Sequence, residues 1–190
     1  MKRVIADTLT TLLTQKSVDK ITVKELVAAC GISRQSFYYH FQDIMDVIEW
    51  SVSQAIQASV EISLAAQTPR DALKSVILSL QKDGKLIQHL MESQRRAEIE
   101  RMMVKAMRTY LREMIQIKES NLPVSYRDME AAIRFLSYGL VGMMMEDLNK
   151  GRDADFTAQQ LLDLITGLPW TQAKERQGFS DHNDSKQAGI

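Results

Sequence analysis

The 190-residue sequence predicts an all-α protein, a three-helix head followed by a longer helical-bundle body, and three observations lead there. Apolar residues recur at three- and four-residue steps along most of the chain, the period of one helix face, and no alternating stretch marks a strand. Successive segments open on a Ser, Thr or Asp and close near a Gly or a Pro, the punctuation of helix ends. β-branched residues are scattered through these spacings, with no fixed-period repeat or low-complexity block among them.

The first helix is expected over residues 2–16, with Ile5, Leu9, Leu12 and Leu13 on one side to cover the helix pair that follows, and residues 17–20 as the connection. Lys2 and Arg3 at its start can touch a phosphate or simply form a solvated terminus. Thr22 followed by Glu25 is a capping box, so a second helix starts at Val23 with both reciprocal hydrogen bonds present. Its apolar positions Val23, Leu26, Val27 and Cys30 form one stripe. Gly31 stands where a left-handed residue ends a helix, and Ser33 where an N-cap opens the next. Two helices joined so tightly cross steeply, the signature of a helix-turn-helix. In the second of them Phe37 and Phe41, with Ile32, bury against Leu26 and Cys30, which turns Arg34, Gln35, Ser36, Tyr38, Tyr39 and His40 outward. Two tyrosines and a histidine exposed on so short a helix make sense where they meet phosphates and base edges.

From Asp43 to about Ala66 a long helix carries Met45, Ile48, Val52, Ile56 and Val60 and links head to body. Tilting it as a lever would move the recognition helix when the body changes shape. Trp50 packs at this junction, with ligand stacking as the alternative. Thr68-Pro69-Arg70-Asp71 starts the next helix, which runs through Leu73, Val76, Ile77 and Leu80 and weakens at Asp83-Gly84. A short piece covers residues 85–91, and Ser93 opens a long helix to about Lys118. Ile99, Met102, Met103, Ala106, Met107, Tyr110 and Met114 share its broad face. Opposite them Arg101, Lys105, Arg108 and Arg112 fall on one line, which is either a solvated or salt-bridged face or an effector or phosphate site.

Residues 121–125, with Pro123, read as a loop; Ser125 and Asp128 then cap a helix through Ile133, Leu136, Leu140, Val141, Met144 and Met145 to Asn149. Gly139 and Gly142 inside it each cost about 1 kcal/mol relative to alanine. Removing side chains three apart lets another helix approach, from a second subunit or from the same chain. A last helix follows residues 153–156, carries Leu161, Leu162, Leu164 and Ile165, and stops at Gly167. Residues 171–190 turn polar and are expected to be disordered.

Lys and Arg total 24 and Asp and Glu 24, so any electrostatic footprint for nucleic acid has to be local. Residues 1–41 hold six basic side chains against three acidic ones, a mildly positive head. Cys30, the single cysteine, has no partner for an intrachain disulfide and reads as a small core residue in a reducing compartment. Neither a signal peptide nor an apolar run approaching the ~20 residues that cross a bilayer is visible, so a soluble, cytoplasmic protein is expected. His40, His89 and His182 are isolated, with no Gly-rich phosphate loop and no His-x-x-x-His metal spacing. No enzyme, cofactor or metal is expected from them.

Residues 21–41, ITVKELVAACGISRQSFYYHF, resemble the DNA-binding domain of the TetR/AcrR family of bacterial transcriptional regulators, chiefly through the run from Ser36 to Phe41. The likeness covers about the first quarter of the chain, and the remainder agrees in length and helix pattern. Residues 37–50 are also similar to a Firmicutes-type branch that includes regulators of dihydroxyacetone kinase genes. The resemblance implies a helix-turn-helix DNA-binding domain at residues 1–46 and an effector-binding and dimerisation domain at 47–170. It places Thr22, Lys24, Ser33, Arg34, Gln35, Ser36, Tyr38, Tyr39 and His40 against DNA. Arg34 can fork onto guanine and Gln35 onto adenine; Ser36, Tyr38 and His40 can donate to phosphate oxygens, and Tyr39 can reach a base or a thymine methyl.

One departure stands out: where the family often has a lysine at the start of the following helix, this chain has Ile44, with Asp46 and Glu49 close behind. Either DNA affinity is lower, or backbone N–H groups of that helix start replace the contact. The family further implies a four-helix bundle between subunits, with Leu136, Gly139, Leu140, Gly142, Met143, Leu161, Leu162 and Ile165 as candidate interface. An effector pocket lined by Met102, Met103, Met107, Tyr110 and Met144 would take a hydrophobic or mixed small molecule, although methionines at this spacing also make plain core. The expected protein is a ligand-responsive regulator, in the first instance a repressor, bound as a homodimer to a near-palindromic double-stranded operator. Most relatives repress and some activate, and the sequence does not decide the sign. The competing reading is a helical partner- or ligand-binding protein with a degenerate head that no longer reads DNA.

Overall fold

A computed structural model describes residues 1–118, 125–150 and 152–166. The chain is all-α: α1 (Lys2–Leu13), a 3₁₀ turn (Val18–Lys20), α2 (Val23–Cys30) and α3 (Arg34–His40) form the head. The body follows with α4 (Ile44–Ala65), α5 (Pro69–Lys82), α6 (Gly84–Met91), α7 (Arg96–Lys118), α8 (Tyr126–Lys150) and α9 (Ala154–Thr166). The described residues include no strand, and none of their helices is long and apolar enough to cross a membrane. The expected 121–125 loop falls largely, and the expected 171–190 tail wholly, outside the described residues.

Local chemistry sets the helix ends. The Thr22 hydroxyl accepts from Glu25 N–H at 3.2 Å, but the Glu25 carboxylate pairs with Lys16 instead of returning to the Thr22 backbone, so only half of the expected capping box forms. Gly31 closes α2 at φ 66°, ψ 30°, the left-handed region a side chain would strain. Ile32 N–H then reaches back to the Val27 carbonyl at 3.0 Å. Ser33 caps α3 by accepting from Ser36 N–H at 3.0 Å. α1 stops at Leu13, three residues before the expected end, where His89 of α6 donates its Nδ1 to the Leu13 carbonyl at 2.7 Å. That carbonyl finds its partner in the body, so the helix has no need to extend to provide one.

Ser93 does not open α7. It is buried, its hydroxyl donates to Asp19 at 2.8 Å and accepts from Arg95 N–H at 2.9 Å, and α7 begins three residues later. α5 and α8 start as expected, with the Thr68 hydroxyl accepting from Asp71 N–H at 3.1 Å and the Ser125 hydroxyl from Asp128 N–H at 3.2 Å. Between α8 and α9 the buried Asp147 carboxylate accepts from Thr157 at 2.9 Å and pairs with Arg152 at 3.0 Å, so the buried charge is compensated.

Apolar burial falls into two clusters. One joins Ile5, Leu9, Leu26, Phe37, Phe41 and Val47 of the head to Leu90 and Ile99 of the body, so the core runs continuously through the junction. Trp50 lies here with its ring 6.1 Å from that of Phe41, the packing role expected of it. The second cluster binds α5, α8 and α9 through Ile77, Leu140, Met144, Ala158 and Leu161. α4 packs against α5 and α7, and α7 against α8.

Candidate nucleic-acid interface and body pocket

α3 divides its seven residues sharply between core and solvent. Phe37 is fully buried and fixes the helix against α1 and α2, while Tyr38 and Tyr39 stand 58% and 85% exposed. Arg34 and Gln35 are exposed beside them, Ser36 and His40 half-buried. The Tyr38 ring sits edge-on to Phe37 at 5.4 Å and His40 edge-on to Tyr39 at 5.0 Å, so the outward rings are braced by their neighbours. Thr22, Lys24 and Ser33 are exposed at the ends of the pair, and the two hydroxyls accept capping hydrogen bonds that leave their O–H free to donate. The structure thus brings all nine residues of the expected DNA face onto the α2–α3 unit.

The start of α4 does not match the expected alternative for Ile44. Ile44 itself is buried in the head core. Asp46 N–H donates to Asp43 at 2.9 Å and Gln42 N–H to Asp46 at 3.0 Å, so two backbone donors near this helix start are taken by carboxylates. Negative charge sits where a phosphate would need open N–H groups. On α1, the Lys2 ammonium lies 5.2 Å from the Phe41 ring centroid, just before this helix start.

Below the head, a cavity of about 290 Å³ opens between α4, α5, α6, α7 and α8. Met103, Met107, Tyr110 and Met144 line it as expected residues; Met102 does not, packing instead against the head core beside a shallow groove with Glu49 and Lys105. Its walls also include Leu9 and Leu13 of α1 and Val52 and Ile56 of α4, which sequence reasoning assigned only to stripes. Tyr110 is nearly buried, its hydroxyl 2.7 Å from Ser63 Oγ, and burial pushes its pKa up.

Comparison with known proteins adds the family. Residues 5–49 match the family described as "Bacterial regulatory proteins, tetR family", and residues 67–167, more than half of the chain, match a TetR C-terminal family described as "Transcriptional regulator C-terminal region". The chain belongs to the TetR family. It is therefore a DNA-binding type of transcriptional regulator, not an enzyme. No curated protein matches.

Solved structures with the TetR fold lie at low identity. "Dihydroxyacetone kinase operon activator DhaS" aligns at TM-score 0.65 and 17% identity over 87% of this chain and 94% of that one. The "TetR Family Repressor AlkX" from Dietzia sp. strain DQ12-45-1b aligns at 0.55 and 16% over 89% and 96%. The "fatty acid degradation regulator FadR" from Bacillus halodurans aligns at 0.53 and 14% over 88% and 96%. At these identities the likeness is one of fold.

On this TetR body two of the four residues in the basic row of α7 are paired. Lys105 meets Glu49 at 2.6 Å, and Arg112 forks onto Glu130 at 3.1 and 2.6 Å. The Arg112 hydrogen bond holds the Glu130 carboxyl below its usual range. Arg101 is exposed, and Arg108 keeps a buried Nε without a hydrogen-bond partner among the described residues. Of the candidate interface residues, Leu140 and Leu161 are buried at 6% and 1% inside the protomer. Leu136, Met143 and Leu162 are half-buried, and Gly139 and Gly142 exposed. The Ile165 side chain lies outside the described residues. Along the middle of α8, beside the two glycines, Phe135 and Tyr138 stand 66% and 62% exposed and open to a partner, residues that periodicity placed on no face.

Proposed function

We propose that this TetR-family chain is a ligand-responsive regulator that binds a near-palindromic operator as a homodimer and releases it when a small molecule fills the body pocket. The observation that carries the reading is the α3 surface: a fully buried Phe37 holding Tyr38, Tyr39, Arg34 and Gln35 outward together. Such a set suits phosphate and base-edge contacts, and apart from the edge of Tyr38 against Phe37 it stands clear of the protomer's core. One recognition helix covers few base pairs, so useful specificity asks for two heads at fixed spacing. A second copy is supported by α8, where Cβ atoms built at Gly139 and Gly142 meet nothing within 4 Å, so the chain's own helices do not use that clearance.

Ligand coupling follows from the pocket walls. Leu9 and Leu13 belong to the head and Met107 and Met144 to the body, so a ligand touches both and favours one relative placement of them. A ligand that prefers the placement in which the heads no longer fit the operator spacing releases DNA by that difference in affinity alone. Repression in the cytoplasm is the proposed output. A reporter gene decides the sign, since the similar structures carry both an activator and a repressor by name.

The rival reading, a partner-binding protein with a degenerate head, draws on the two carboxylates at the start of α4. Selection of bound duplexes from a random pool, followed by a salt series on the winner, separates the two. The regulator recovers a palindrome whose affinity falls steeply and linearly with log salt. No enriched sequence, or salt-insensitive binding, favours the rival.

A further inference from the structure

The cavity's charge pattern narrows its ligand. We propose that the pocket takes a hydrophobic cation, an apolar body of about ten carbons with a positively charged end held at Asp83; the inference rests on the cavity being the effector site proposed above. Its 290 Å³ corresponds to about ten waters at roughly 30 Å³ each, and a methylene fills nearly the same space. Val52, Ile56, Leu86, Met107 and Val141 make the wall apolar. Three of the four hydroxyls on it are engaged: Ser51 donates to the Val47 carbonyl at 2.9 Å, Ser59 to the Ala55 carbonyl at 2.8 Å, and Tyr110 pairs with Ser63 at 2.7 Å, while the fourth, on Thr10, belongs to an exposed residue.

Among the described residues, Asp83 is the only charged one lining the cavity. It stands at the corner between α5 and α6, its side chain caps neither helix, and it forms no hydrogen bond or ion pair with another side chain among the described residues. Its neighbours Lys82 and Lys85 are exposed and do not line the cavity. Asp83 is itself exposed, so a ligand's charged end there stays partly solvated; an anionic end would still meet a like charge and no cation on the cavity wall. A cation finds its counter-charge waiting.

The test titrates the full-length protein calorimetrically with decyltrimethylammonium, decanol and decanoate, each below its micelle-forming concentration. The cation is expected to bind about three- to fivefold tighter than the alcohol, the range of a partly exposed ion pair, and decanoate to bind weakest. Asp83→Asn removes the preference of cation over alcohol and leaves the alcohol unchanged. Ala106→Phe, which fills the cavity, weakens all three. Decanoate binding as tightly as the cation, an unchanged order in Asp83→Asn, unchanged affinities in a folded Ala106→Phe, or no binding by any probe would overturn the proposal. Should Ala106→Phe fail to fold, the Asp83→Asn result decides alone. DNA binding is read separately by mobility shift, so loss of the regulator reading leaves this charge order standing, and the reverse.

Discussion

Phe37 and its exposed neighbours make opposite demands on the same short helix, and substitutions should separate them. Phe37→Ala empties a fully buried site and is expected to cost about 3–5 kcal/mol of stability, read as a lowered denaturation midpoint. Tyr39→Ala, at an 85% exposed position, should change stability by less than about 0.5 kcal/mol yet weaken specific duplex binding. Arg34→Ala should cost about 1–3 kcal/mol in specific binding and relax discrimination if the guanidinium forks onto a base. An unchanged ratio of operator to random-DNA affinity would remove Arg34 from base reading. Much of this was legible in the sequence, because caps, the Gly31 turn and the Phe37–Phe41 spacing are local rules. The partner of Glu25 and the fate of Ile44 were not, since Lys16 and the head core reach them across the chain.

Among the elements, α6 joins the body cavity to the head. Leu86, Ile87 and Leu90 line the cavity, while His89 holds the Leu13 carbonyl and the turn after α6 holds Asp19 through Ser93 Oγ at 2.8 Å and Gln94 N–H at 2.9 Å. The Gln94 and Ser93 hydrogen bonds lower the Asp19 pKa. A depressed carboxyl stabilises the docked head above the ordinary carboxylate range and loses that contribution as pH falls through the lowered value. Asp19→Asn is therefore expected to raise hydrogen exchange in the Val18–Lys20 turn and to shrink the ligand's effect on DNA affinity. An unchanged ligand effect would show that Asp19 transmits nothing. These contacts span 74 to 76 residues, so no periodicity or capping rule could find them, and Ser93 reads naturally as a cap. Lys105 and Glu49 are likewise 56 apart, which is why that part of the basic row stayed open until the fold paired it.

For the molecule as a whole, the proposed operator binding requires two heads held at a fixed distance. An apolar stripe looks the same in sequence whether its partner is the chain's own core or a second copy. Burial divides the α8 and α9 stripes, with Leu140 and Leu161 inward and Phe135, Tyr138 and the two glycines outward. Charge at the outward face should break a dimer without disturbing the core: the double variant Phe135→Arg/Tyr138→Glu is expected to sediment as a folded monomer and to bind operator more weakly. A dimer that survives it lies on another surface. The most direct measurement is a hydroxyl-radical footprint of the protein on its selected duplex. Two protected stretches on one face of the DNA, centred about 10–10.5 base pairs or a multiple apart, are the predicted result. A single protected stretch, or two on opposite faces, would contradict the paired-head account.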